Sequence, residues 1–172
     1  MSQTGAMTEQ ATTLRRYEPT DAAATLRCFR RAVRGTASRD YDARQLAAWA
    51  PADTDLAAWG ARRAGAGTGS GTQTWVAERD GQLVGFGDID ASGYIDMMFV
   101  DPDAARTGVA SALLGHLASI AAERGLPELT VHASITARPF FERHGFAVVA
   151  EQRVELRGSV LANFRMRRGL GD

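Results

Sequence analysis

The chain contains no lysine: all 20 of its basic residues are arginine, set against 20 acidic ones for a net charge of zero. That excludes a Schiff-base lysine and a phosphate-loop lysine, and leaves no lysine side chain to modify. The even balance argues against a broad nucleic-acid face, which needs excess positive charge. Cys28 is the single cysteine, so neither an internal disulfide nor a cysteine-built zinc site can form. The only histidines stand at positions 116, 132 and 144, and such scatter gives a metal site no support. No run of about 18 apolar residues is present to cross a membrane. The opening MSQTGAMTEQATT has neither a basic start nor an apolar segment. Residues 1–12 therefore read as a disordered tail rather than a secretory leader, and the cytoplasm is the expected compartment.

What is present describes one globular unit. With 172 residues, 45% hydrophobic and 23% charged, the chain fits a single domain with a substantial core, expected over 13–170. Leu14 to Tyr17 reads as a first strand, and Asp21 as the cap of a helix reaching Arg34 with Leu26, Phe29 and Val33 on one face. Cys28 lies in that helix and reads as a packing residue. Helices are expected from Asp42 to Ala50 and from Asp55 to Arg63, the first ending before Pro51. The glycine-rich GAGTGSG (65–71) precedes a strand instead of joining a strand to a helix, so it reads as a connector and not a phosphate loop.

Three strand-like runs follow, Thr74–Arg79, Gln82–Ile89 and Tyr94–Val100, separated by Asp80-Gly81 and Ala91-Ser92-Gly93. Two-residue Asp-Gly is hairpin chemistry, so these runs form an antiparallel meander. A helix from Gly108 to Arg124 is expected next, with Val109, Leu113, Leu117 and Ile120 as its buried stripe and Gly125 as its stop. Glu128–His132 reads as a strand, making a parallel crossover, and Ala137–His144 as a short helix. Val148–Leu156 and Val160–Arg168 close the chain as a hairpin. The last strand carries Ala162, Phe164 and Met166 on one face and Asn163, Arg165 and Arg167 on the other.

The stretch FVDPDAARTGVASALL (99–114) begins a helix with its bulk removed. A helix N-terminus offers unsatisfied N–H groups and the positive end of its dipole. Gly108 and Ala110 strip away side chains that would obstruct those donors, while Arg106, Thr107 and Ser111 add charge and hydroxyls. A pyrophosphate fits such a turn. The same small residues also suit close helix–strand packing, so both readings stand on the residues alone.

The stretch resembles the acetyl-CoA-binding motif of the GNAT acyltransferases, V-x-P-x-x-(Q/R)-x-x-G-x-(G/A), through Val100, Pro102, Gly108 and Ala110. Ala105 stands where that family carries Gln or Arg, with Arg106 beside it. A second stretch, SITARPFFERHGF (134–146), resembles the family's N-x-x-A-x-x-x-Y-x-x-x-G-F through Ala137, Gly145 and Phe146. Ser134 replaces the Asn, and Phe141 replaces the Tyr that in many members is thought to protonate the leaving thiolate. RDYDARQLAAWAP and QRVELRGSVLANFRMRR are similar to the YafP-like bacterial branch.

The resemblance implies an α/β (α+β) fold: a mixed, mostly antiparallel twisted sheet flanked by helices. Its central parallel pair, here 94–100 and 128–132, splays to admit the cofactor. It implies acetyl-CoA as co-substrate, held by Met98, Phe99 and Val100, by the turn from Arg106 through Thr107, Gly108, Val109 and Ala110 to Ser111, and by Ser134, Phe140, Phe141 and Arg143. The implied reaction is direct attack of an amine on the thioester. The acceptor is expected to be a small molecule; a protein or peptide acceptor, or a non-catalytic acyl-CoA sensor, are the alternatives. No metal is expected, and a homodimer is an option the family leaves open.

Asp96 is the first candidate base, with His132 second and Tyr94 as a donor; each also has a plain structural explanation. Backbone N–H groups of Met98 or Val100 suit the thioester carbonyl. Tyr41, Trp49 and Phe164 are candidates for acceptor contacts. Asp88, Asp90 and Asp96 hint at a cationic acceptor, although turn chemistry accounts equally for the first two.

Overall fold

The computed structural model describes residues 11–65, 69 and 71–171, so most of the expected tail and part of the GAGTGSG connector lie outside the described residues. The elements run β1 (Thr13–Arg16), α1 (Ala22–Gly35), α2 (Ala43–Trp49), α3 (Leu56–Arg63), β2 (Gln73–Arg79), β3 (Gln82–Ile89), β4 (Tyr94–Ile95) and β5 (Met98–Val100). They continue with α4 (Val109–Glu123), β6 (Glu128–Ser134), α5 (Arg138–Arg143), β7 (Ala147–Leu156) and β8 (Ser159–Gly169). Local chemistry sets many of these limits. Asp42 and Asp55 cap α2 and α3 by accepting from the N–H groups of Gln45 and Ala58. Positive φ at Asp80 (50°) and Gly81 (73°) turns β2 into β3, and Arg157 (47°) with Gly158 (73°) turns β7 into β8.

Asp21 departs from its expected role. Its carboxylate does not cap α1; it accepts from the Glu18 N–H and from both guanidinium nitrogens of Arg15. Arg15 also reaches Glu78 on β2, so it ties the first strand to the start of the first helix. The Arg15 hydrogen bonds hold the Asp21 carboxyl below the usual carboxylate range.

The expected strand Tyr94–Val100 is broken in two, and its halves belong to different sheets. One sheet has the order β1-β2-β3-β5, the other β4-β6-β8-β7. Among the described residues β4 and β6 are the only parallel pair, with Tyr94 opposite Thr130 and Ile95 opposite Val131. Two residues later β5 runs antiparallel to β3, with Met98 opposite Gly87. At the break the N–H groups of Asp96 and Met97 donate to the same oxygen, Oδ1 of Asp88, at 3.0 and 2.9 Å, and the Asp88 N–H donates to the Met97 carbonyl. This bulge shifts the side-chain alternation by one residue. Ile95 and Met98 both pack toward α4, whereas Met97 and Phe99 pack toward α1. Asp96 therefore does not share a face with Met98 and Val100, as an unbroken strand would require.

Helices cover both faces. Leu26, Phe29 and Val33 of α1 and Trp59 of α3 bury Val76 and Phe86 on one side. On the other, α4 buries Val109, Leu113, Leu114, Leu117 and Ala121, with Ile120 only half-buried. Each large aliphatic side chain so buried contributes about 1.5–3 kcal/mol. The close approach of α4 is permitted by the strand below it. A Cβ on Gly85 would lie 3.1 Å from Val109 Cγ1, and one on Gly87 3.3 Å from Leu117 Cδ1.

Gly93 closes the turn into β4 with φ of 87°, and a Cβ there would sit 2.6 Å from the Glu128 carbonyl oxygen. Substituting Gly93→Ala combines a left-handed backbone with a main-chain clash at the origin of the parallel pair. It should lower unfolding free energy by about 2 kcal/mol or more, read from urea denaturation.

Candidate active site

The turn between β5 and α4 is built by side chains from elsewhere in the fold. Asp101 accepts from the Asp103 N–H and is gripped by Arg31 of α1. Arg79 of β2 donates to both the hydroxyl and the carbonyl of Thr107, each at 2.7 Å. Arg106 (φ 61°) and Gly108 (φ 86°) then swing the chain left-handed into α4. A Cβ placed on Gly108 would meet no protein atom within 4 Å. The absence of bulk at Gly108 therefore serves no packing; close packing is supplied by Gly85 and Gly87 instead. What Gly108 leaves open is the approach to the first N–H groups of α4.

A cavity of about 470 Å³ lies over that helix start. Met98, Phe99, Val100, Arg106, Gly108, Ala110, Ser111, Ser134, Phe140, Phe141 and Arg143 line it. Two residues expected with them do not. Val109 is buried against Gly85, and Thr107 is turned toward Arg79. Sequence reasoning missed the end of α1 (Ala32, Val33) with Thr36, Ala37 and Arg39, which form the opposite wall. It also missed His144, whose Nδ1–H donates to the Phe140 carbonyl so that Nε2 faces Ser111 Oγ at 3.1 Å.

A second cavity of about 320 Å³ adjoins the first from the other side of the splayed strands. Trp49, Met98, Phe99, Ser134, Ala137 and Phe141 line both. Tyr94, Asp96 and His132 come together on its wall, the Tyr94 hydroxyl 3.4 Å from Asp96 Oδ1 and the Tyr94 ring edge-on to His132 at 5.3 Å. Burial first, then the Asp96 charge, push the Tyr94 phenol above its ordinary range, so it stays a protonated donor. Val154, Leu156, Leu161 and Asn163 of the last hairpin supply the far wall.

Of the three expected acceptor contacts, Trp49 and Tyr41 line this cavity. The Tyr41 hydroxyl is already committed: it accepts from the Ile135 N–H and donates to the Ala162 carbonyl. Phe164 is not in the cavity. It belongs to the core with the Arg138 guanidinium 4.6 Å over its ring, one residue out of phase with Asn163. Of the three clustered aspartates only Asp96 faces acceptor space: Asp88 is 1% exposed beside Arg63, and Asp90 accepts from the Ser92 and Tyr94 N–H groups in its turn. Cys28 is 2% exposed, and burial above all pushes its thiol up to about 12, which suits packing and not nucleophilic attack.

The family model of the acetyltransferase (GNAT) domain matches residues 37–168. The chain belongs to the GNAT family. It is 46% identical over 154 residues to the uncharacterised N-acetyltransferase YafP of Escherichia coli, covering 90% of this chain and 93% of that one. This places it in the YafP-like bacterial branch of the GNAT family. A GCN5-related N-acetyltransferase from Rhodopseudomonas palustris superposes with a TM-score of 0.87 at 34% identity, over 96% of this chain and 99% of its own. YncA of Salmonella typhimurium, solved with its cofactor acetyl-CoA, shares the fold with a TM-score of 0.70 at 22% identity, over 94% of this chain and 95% of its own. The chain is thus an N-acetyltransferase of the GNAT fold. No helix among the described residues is long and apolar enough to cross a membrane.

Because its hydroxyl ties the end of β6 to β8 beneath the second cavity, Tyr41 bears on the site through the fold. Tyr41→Phe keeps the ring but leaves the part-buried Ile135 N–H without its acceptor. Stability should fall by about 1–3 kcal/mol in urea unfolding, with the cavity walls otherwise intact.

Proposed function

We propose that the protein transfers the acetyl group of acetyl-CoA to the amino group of a small molecule, both bound together. The observation that carries this reading is the meeting of two cavities at Met98 and Phe99, with the open helix start on one side and Asp96, His132 and Tyr94 on the other. The residues fit the cofactor: Gly108 clears space that no protein atom fills, and Arg106 and Arg143 bring positive charge to the same wall. The acceptor cavity has the size of a small-molecule site and walls from seven elements, which favours a small amine over a long peptide.

When bound, acetyl-CoA supplies an activated acetyl group as a thioester. The amine nitrogen forms the new C–N bond, the C–S bond breaks, and the amine's proton passes to the protein while the thiolate gains one. Asp96, with 56% of its side chain exposed, is placed to accept the amine proton directly or through water. His132 is the second acceptor on the same wall. Phe141, 3% exposed, lines both cavities and brings no hydroxyl. Ser134 stands on that shared wall. Its Oγ accepts from the Ala137 N–H, which leaves its own hydrogen free to be donated toward the thiolate. Holding both reactants in line accounts for about 7–11 kcal/mol of the barrier in reactions of this kind.

Calorimetric titration with acetyl-CoA beside acetyl-pantetheine tests the cofactor half. One-to-one binding that weakens at least about tenfold without the pyrophosphate is expected, and Ala110→Val, on ordinary helical backbone at the same wall, should produce the same weakening with the intact cofactor. An absence of acetyl-CoA binding at millimolar concentration would overturn the reading. In an amine-library screen for thiol release, Asp96→Asn should lower kcat about 100-fold with little change in acetyl-CoA affinity. Retained binding with no acceptor-dependent thiol release from any amine would instead mark a sensor.

A further inference from the structure

Asp88 carries no role in the reaction as described, yet it organises the site's base. Its Oδ1 takes the two bulge N–H groups at Asp96 and Met97, and its Oδ2 lies 3.3 Å from Arg63 Nη1. The other terminal nitrogen of Arg63, Nη2, lies 4.0 Å from Asp96 Oδ2. Arg63 is 5% exposed, its guanidinium stacked 5.0 Å over Trp59, and its Nε and Nη1 have no hydrogen-bond partner. One buried cation thus lies between two carboxylates and is held to the drier of them by charge alone. The polar niche around it contains Arg62 from α3, Asp90 after β3, and Tyr94 and Asp96 at the bulge, with Tyr17 after β1 close enough to Arg63 to feel its charge.

We propose that Asp88 is a positioning residue for acetyl transfer: its charge draws Arg63 to 3.3 Å, so that the Asp96 carboxylate keeps only a loose 4.0 Å ion pair and stays available on the acceptor wall. Once Asp88 is neutral, Arg63 is left with Asp96 as its other near carboxylate, and the loose pair between them tightens and withdraws the base from the amine. The bulge hydrogen bonds survive neutralisation, because a carbonyl oxygen still accepts both N–H groups. Burial holds Asp88 up to about 6 despite Arg63. Neutral solution therefore keeps it ionised, and transfer declines as pH falls through about 6.

The inference rests on Asp96 acting as base, and the test separates the two. Asp88→Asn retains the oxygen and removes the charge. With acetyl-CoA saturating, and propylamine, tyramine and a free-amino dipeptide as probe acceptors, kcat should fall about tenfold or more, while acetyl-CoA affinity by calorimetry stays within about twofold. Adding Arg63→Gln should restore most of the lost kcat, since no cation remains to occupy Asp96; a purely structural role would make the double variant worse. Arg63→Gln alone should flatten the decline in kcat below pH 7. An Asp88→Asn enzyme with wild-type kcat, or a double variant no better than the single, overturns the proposal. An acceptor-free arm uses Trp59 as reporter in a Trp49→Phe, Trp75→Phe background. Its fluorescence should change with a midpoint near pH 6 as Arg63 leaves the ring, and Asp88→Asn should abolish the change. A flat pH response sinks the positioning role even if none of the three amines is an acceptor.

Discussion

Two hydrogen bonds to one buried oxygen hold this molecule's working geometry. Asp88 Oδ1 satisfies the N–H groups of Asp96 and Met97 at the point where neither can pair with a neighbouring strand. Without that acceptor, two main-chain donors would be unpaired at the boundary of two sheets, a cost that normally forces regular pairing. With it, one continuous segment serves both sheets, β4 alongside β6 and β5 alongside β3. The gap between the sheets is where the two cavities meet. Site geometry here is a by-product of where a strand is allowed to break.

The two faces of that gap are built on different physical terms. On the side proposed for the cofactor the structure exposes main chain: left-handed turns at Arg106 and Gly108 and a helix start free of obstruction. On the acceptor side it exposes side chains, with aromatic and aliphatic walls around Asp96, His132 and Tyr94. A large cofactor with a polyanionic end is suited to the first surface, where dipoles and N–H groups need no side-chain reorganisation. The small amine proposed as acceptor would suit the second, which offers one carboxylate and a fitted wall.

Much of this was legible in the residues because the signals are local. The helix starts at Asp42 and Asp55, Asp80-Gly81 as a turn, and the periodicity of Leu113 and Leu117 each rest on chemistry within a few positions. Features that escaped depend on contacts distant in the chain. Nothing near Asp96 announces a bulge, because its cause sits on β3. The regular alternation of β8 was correctly read, but which face met the cavity was not, so Phe164 was chosen where Asn163 lies. Tyr41 was placed at the site, while its partners Ile135 and Ala162, about a hundred residues away in sequence, were invisible. The small residues at 108–111 left two explanations standing, and only the positions of Gly85 and Gly87 decide between them.

That division between the glycines has a consequence for how such a chain changes over generations. Since the tight fit of α4 is written into β3, the exposed stretch from Ala105 to Gly108 carries little of the core's volume. Ala105 can change without disturbing what folds, whereas the left-handed Gly108 tolerates no side chain and any enlargement at Gly85 or Gly87 lifts the helix itself. The rim of the proposed cofactor site can thus vary where the scaffold beneath it cannot.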